Sequence, residues 1–83
     1  MEVTEIIKQL PLGYSKLRYK GKLYGITRTD FNKGRSIKVF AEELGGNDYI
    51  SLNFYSTQTS ESIKPCEMKM DKIIHFLKNV EIA

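Results

Sequence analysis

The chain has 83 residues and one cysteine, so it can build a single modest core and cannot form an internal disulfide. Its hydrophobic fraction of 41% and charged fraction of 28% are ordinary for a globular protein and exclude disorder, and no apolar run approaches the roughly 20 residues needed to cross a bilayer. The net charge is +3, but it is unevenly distributed. Residues 16–38 hold eight basic residues and one acid, whereas every charged residue among residues 39–63 is an acid. We expect one domain over residues 1–83, located in the cytoplasm because no secretory leader is visible.

An amphipathic helix is predicted at the start of the chain. Val3, Ile6, Ile7 and Leu10 recur at helical spacing and form one apolar stripe. Pro11 ends this helix, because the residue before a proline avoids the helical conformation. A helix this short is not stable alone, so we expect its stripe to dock on a sheet.

A β-hairpin is predicted over residues 14–30, with Lys20 and Gly21 as a two-residue type I′ turn. The turn pairs Tyr19 with Lys22, and the alternation then separates two faces. One face is apolar and carries Leu17, Tyr19, Tyr24 and Ile26, whereas the other carries Lys16, Arg18, Leu23 and Gly25. Residues 31–34 contain Asn and Gly and are a natural chain reversal into the next strand.

The strongest signal is a second hairpin over residues 35–55. If residues 45–48 form its loop, Leu44 faces Tyr49, Ala41 faces Leu52 and Val39 faces Phe54. The apolar face then comprises Ile37, Val39, Ala41, Ile50, Leu52 and Phe54. The other face comprises Lys38, Phe40, Glu42, Tyr49, Ser51, Asn53 and Tyr55.

The C-terminal third is predicted to be a polar surface loop over residues 56–61 followed by a helix over residues 69–80. The apolar stripe of this helix is Met70, Ile73, Ile74, Leu77 and Val80, with Lys72, His75, Lys78 and Asn79 turned away. The fold class is therefore α+β, a two-layer sandwich of a four-stranded antiparallel meander with the N- and C-terminal helices on one face, in the order α-β-β-β-β-α.

Function is expected on the side of the sheet opposite the helices, called the open face from here on. Its candidate binding residues are Lys16, Arg18, Lys38, Phe40, Tyr49, Asn53 and Tyr55. The first hypothesis is a non-enzymatic module that binds a protein partner or a second copy of itself. The alternative is nucleic acid, since cations beside aromatic rings can hold phosphates and stack bases. A plain solvated surface would carry the same residues, and no membrane partner is expected.

No cofactor or metal site is predicted, because one histidine and one cysteine at unpaired spacing do not make a zinc site. The only candidate nucleophile is Cys66, which precedes the predicted final helix, where a helix N-terminus could lower a thiol pKa. The order of helix, strands and helix also resembles the double-stranded RNA-binding domain in outline. It has one strand more than that family and lacks its lysine-rich start of the second helix.

The segments LPLGYS, YGITRTDFNKG, VFAEELGGNDYIS and KPCEM resemble those of small stand-alone bacterial proteins of unknown function, some of them labelled peptide methionine sulfoxide reductase. The resemblance covers most of the chain. Reductases of that name centre on a Gly-Cys-Phe-Trp motif, whereas this chain has no Trp and only Pro65-Cys66-Glu67. The resemblance thus implies a bacterial source and, as a second alternative, a thiol-dependent reductase through Cys66.

Overall fold

The computed structural model describes residues 3–82 as two helices and one open antiparallel sheet of five strands, which confirms the α+β class. In chain order the elements are α1 (Val3–Gln9), β1 (Gly13–Tyr19), β2 (Lys22–Phe31), a short 3-10 turn (Asn32–Gly34), β3 (Ser36–Glu43), β4 (Tyr49–Ser56), β5 (Glu61–Pro65) and α2 (Met70–Asn79). The strands lie side by side in sequence order, so each pairs with its neighbour along the chain.

The predicted four-stranded sheet is wrong by one strand. The chain turns back through residues 57–60, where the Thr57 hydroxyl accepts hydrogen bonds from backbone N–H groups of Thr59 and Ser60. Residues 61–65 then pair with β4, with Ile63 opposite Phe54 and Lys64 opposite Asn53. The predicted polar loop is therefore the connection of a further hairpin, and its last residue, Glu61, already belongs to β5.

The first hairpin has the predicted register, with Tyr19 opposite Lys22 and Leu17 opposite Tyr24. Lys20 and Gly21 both have positive φ, as a type I′ turn requires. The predicted register of the second hairpin is wrong by two residues, because Ala41 faces Ile50 and not Leu52. The cause is a loop that begins one residue earlier, because the N–H of Glu43 bonds to the carbonyl of Asp48 and encloses residues 44–47 instead of 45–48. A shift by two leaves every side chain on its predicted face.

The core lies between the sheet and the helices. The inward side chains of β1 to β4 and the apolar stripes of both helices form one buried cluster, in which Ile7, Ile26, Val39, Leu52, Phe54 and Ile73 are fully buried. Burial of such a continuous apolar face is the main favourable term in the stability of a domain of this size. The predicted pairing of the apolar sheet face with the helix stripes is thereby confirmed.

Helix α2 packs on the sheet through Ile73 and Leu77 of its predicted stripe, but the stripe is wrong at two positions. Phe76, absent from that stripe, is fully buried and packs edge-on against Tyr19 at 4.9 Å between ring centroids. Met70 remains 38% exposed. The prediction that Lys72 and His75 turn away is also wrong, because Lys72 bonds to Asp48 and the His75 ring bonds to the Tyr19 hydroxyl.

Arg28 fastens α1 to the sheet. It lies on the inward side of β2, opposite Val39, and its guanidinium donates hydrogen bonds to the carbonyls of Lys8 and Leu10 at 2.9 and 2.8 Å. These carbonyls belong to the end of α1 and the residue that follows it, where a helix leaves backbone acceptors unpaired. Asp30 holds the guanidinium in place by a bidentate pair, with both distances 2.9 Å.

Candidate binding surface

The open face has no described helix packed over it, and its outward side chains alternate with buried ones most regularly along β3. All seven predicted site residues are outward on β1, β3 or β4. The register fixes their neighbours. Lys38 lies directly opposite Asn53, Phe40 lies opposite Ser51, and Glu42 lies opposite Tyr49.

The cations of this face are not neutralised by neighbouring carboxylates. Lys16, Lys38 and Lys64 are exposed, and within residues 3–82 none of them has a carboxylate within ion-pair distance. The acids on this side among the described residues are Glu42 on β3 and Glu81, which is paired with Arg18 at the edge of β1. Arg18 differs, because it lies at the corner of the sheet, where its carbonyl accepts the backbone N–H of Glu81 and Glu81 lines the same groove. The open face is therefore positively charged from β1 to β5.

Aromatic side chains lie between these cations. Phe40 and Tyr49 remain 38% and 37% exposed although their ring centroids are only 6.2 Å apart. Tyr14, which is 58% exposed, lies across Gly25, where a Cβ atom would come within 2.5 Å of the tyrosine hydroxyl. A side chain at position 25 would displace that ring, so the glycine makes room for Tyr14.

Tyr55 lies apart from the other aromatic residues of the site. It pairs with Ser36 at the far end of β4, about 20 Å from Tyr49 by strand rise, whereas the predicted register would have placed it opposite Lys38. There it borders a groove of about 810 Å³. The groove is lined by Asn32, Arg35, Ser36, Tyr55, Ser56, Thr57, Gln58 and Thr59. The site thus has a cluster around Phe40 and a separate polar end around Tyr55.

Two site residues were missed by the sequence reasoning. Tyr14 has the same strand parity as Lys16 and Arg18, so the alternation that selected those residues would also have selected it. Lys64 could not be found in this way, because the strand that turns it outward was not predicted. The structure places it next to Asn53 and, through Asn53, in one row with Lys38.

Cys66 does not lie at a helix N-terminus. It follows β5, its N–H bonds to the carbonyl of Ser51, and α2 begins only after the N-cap residue Lys69. The premise that the helix could activate this thiol is therefore wrong. The sulfur instead accepts a hydrogen bond from Asn53 Nδ2 at 3.2 Å, on the edge of the open face. The reductase activity implied by the resemblance stays a prediction.

A polar cluster links the loop between β3 and β4 to β2 and α2, on the helix side of the sheet. The Asp48 carboxylate accepts hydrogen bonds from Lys72 Nζ at 2.6 Å and from the Tyr24 hydroxyl at 2.8 Å. The Lys72 ammonium is the main cause that lowers the pKa of Asp48, with the Tyr24 hydroxyl helping and partial burial opposing. Burial, followed by the bond to Asp48, raises the pKa of Tyr24, which therefore stays a neutral donor.

Replacing Asp48 by asparagine should reduce the pH dependence of stability. Because the folded-state pKa lies below the unfolded value of about 3.9, the carboxylate contributes stability above that pH and loses it as the pH falls through the folded pKa. Urea unfolding at pH 7 and near pH 3 should show a wider stability gap between wild type and Asp48→Asn at pH 7 than near pH 3. An equal gap at both pH values would contradict this assignment.

Metal-binding clusters and membrane-spanning helices are both absent from the part of the chain that the structure describes. No three side chains among His, Cys, Asp and Glu lie close enough to hold an ion there, and no helix has the length and apolarity to cross a bilayer. No protein-family model, curated protein or solved structure matches the chain.

Proposed function

We propose that this chain is a non-enzymatic binding module whose open face takes an anionic macromolecular partner. The observation that carries the proposal is the arrangement on that face, where Lys16, Lys38 and Lys64 stand exposed without ion-pair partners among residues 3–82. Lys8, Lys22 and Lys72 have carboxylate partners and lie elsewhere, and the exposed lysines outside this face, Lys20, Lys33, Lys69 and Lys78, are spread over turns and α2. Positive potential concentrated on one face attracts anions and raises their association rate.

A second copy of the chain is a poorer occupant of the same face. Pairing two open faces about a two-fold axis would bring the lysines of one copy against those of the other. Like charges placed opposite each other at an interface cost several kcal/mol. Only two acids of the described residues, Glu42 on β3 and Glu81 beside Arg18, lie where they could offset this repulsion. The charge therefore favours an acidic partner over self-association through this surface.

Retention on immobilised heparin, a polyanion without bases, tests the proposal. We expect the variant with Lys16, Lys38 and Lys64 replaced by glutamine to elute at much lower salt than wild type, because each lost phosphate-like contact reduces the salt-dependent affinity. The matched control replaces Lys20, Lys69 and Lys78, which are exposed outside this face, and loses the same charge. Equal elution of the two variants would show that only net charge matters and would overturn the proposal.

A further inference from the structure

We infer that the anionic partner is a single-stranded nucleic acid whose unpaired bases stack on the aromatic side chains of the open face, an inference that rests on the proposed function above. The inference starts from the exposed aromatic rings of this face, because an anionic partner alone would not require them. Phe40 and Tyr49 keep more than a third of their surface in solvent, on a sheet whose other side buries apolar groups completely. Ring faces left in water offer stacking platforms that any base can use.

Rings and cations of the open face lie in three adjacent rows across the sheet, and Tyr49 shares its row with Lys16 and Glu42. One row runs from Tyr14 through Thr27 to Phe40, as the pairing of β1, β2 and β3 shows. The next row carries Lys38, Asn53 and Lys64. Neighbouring rows on one face are two residues apart along a strand, or about 7 Å. An aromatic row beside a cationic row is the arrangement that a chain of bases with flanking phosphates requires.

Polar groups that can contact a base edge lie within the cationic row. Asn53 is partly exposed and uses its amide nitrogen to donate to the Cys66 sulfur, so its amide oxygen is left as an acceptor. Past Tyr55, the groove offers Arg35 together with the hydroxyl of Ser36. Arg35 has no carboxylate within ion-pair distance in the described residues, so it can hold a phosphate where the strand leaves the sheet.

Single strands fit this face better than duplexes or acidic proteins. In a duplex each base is covered on both sides by its neighbours, so the rings of Phe40 and Tyr49 could reach only the backbone. An acidic peptide would satisfy the lysines but has no flat rings to cover the exposed aromatic faces. Base stacking on an aromatic side chain is worth about 1–3 kcal/mol, which gives the single strand an additional favourable term.

Fluorescence anisotropy with labelled oligothymidine and oligouridine of about 12 nucleotides tests the inference, against a duplex of the same length and against polyglutamate. Both single strands should bind more tightly than the duplex and than polyglutamate. A difference between the two strands would identify DNA or RNA as the preferred form. Phe40→Ala should weaken binding of the single strands about 5- to 150-fold, the equivalent of one stacked base, with no loss for polyglutamate.

The matched control is Met70→Ala on α2, since Met70 has the same 38% exposure as Phe40 and lies away from the open face. It should leave binding unchanged. Lys38→Gln should lower the slope of log affinity against log salt by about 0.7, as expected for one lost phosphate contact to a single strand. If Phe40→Ala binds like wild type, or polyglutamate binds as tightly as the single strands, the inference fails. The heparin result would still decide the proposed function separately.

Discussion

Replacing Phe54 by alanine is expected to lower the free energy of unfolding by about 3–5 kcal/mol, the range for a buried phenylalanine. The Phe54 ring is fully buried in the core, opposite Ile37 of β3 and Ile63 of β5. The loss combines the transfer free energy of the ring with the cavity that it leaves. Since single domains are stable by only about 5–15 kcal/mol, the variant should be close to unfolding at 37 °C. Urea titration followed by circular dichroism measures the effect.

The control lies one residue further along the strand. Tyr55 is 42% exposed on the open face, so Tyr55→Ala should cost no more than about 1 kcal/mol. Two adjacent aromatic residues with such different costs would be the energetic signature of the two-sided sheet. Equal costs, or a larger cost at Tyr55, would mean that the faces are assigned the wrong way round.

The second large effect is expected at Arg28, whose replacement by methionine should cost about 2–3 kcal/mol. Methionine keeps the aliphatic stem but removes the donors to the carbonyls of Lys8 and Leu10 and leaves Asp30 without its partner. The Arg28 side chain is only 13% exposed, so water cannot fully replace these bonds. Amide hydrogen exchange should in addition show faster opening of α1, because this side chain holds the helix end on the sheet.

Two variants separate the role of Arg28 from its charge. Arg28→Lys keeps the charge but cannot bond to both carbonyls and to the carboxylate together, so most of the loss should remain. Lys22→Met removes an ion pair of 3.5 Å to Glu43 whose lysine side chain is 62% exposed, and it should cost less than about 1 kcal/mol. Full recovery of stability in Arg28→Lys would show that charge alone is responsible.

The parts of the fold that follow from local rules could be predicted from the sequence. Lys20 and Gly21 satisfy the backbone of a type I′ turn, and that turn fixes the register of the first hairpin. Alternation in β3 and β4 assigns each side chain to a face because the period of a strand is two residues. Pro11 marks the end of α1 for a steric reason that holds in any fold.

The missed features depend on contacts between distant parts of the chain. β5 is short and carries one strongly apolar residue, Ile63, so only its pairing with β4 reveals it. The loop of the second hairpin begins one residue earlier than its glycines suggest, and Asp48, which closes it, is held by Tyr24 of β2 and Lys72 of α2. Phe76 is an exception, because it lies three residues after Ile73 and four before Val80, so the helical spacing of the stripe would have included it.

For the candidate site, the sequence predicts which residues lie on the open face but not which residues are neighbours there. Strand parity placed Lys16, Lys38 and Phe40 on the open face, and the error of two residues in register did not move them from it. The error did change neighbours, so Lys38 lies opposite Asn53 and not opposite Tyr55. The outward position of Lys64 and the contact of Cys66 with Asn53 both depend on the pairing of β5 with β4, which local sequence patterns do not predict.

Hydroxyl-radical footprinting of the free protein, read residue by residue by mass spectrometry, tests most directly whether one side of the sheet is bare. Tyr14, Phe40 and Tyr49 should be oxidised rapidly, because their rings are accessible to solvent. Phe54 and Phe76 should be protected until the protein unfolds, since both are fully buried. Protection of Phe40 and Tyr49 in the free protein, together with rapid oxidation of Phe54, would contradict the two-sided sheet and the binding surface built on it.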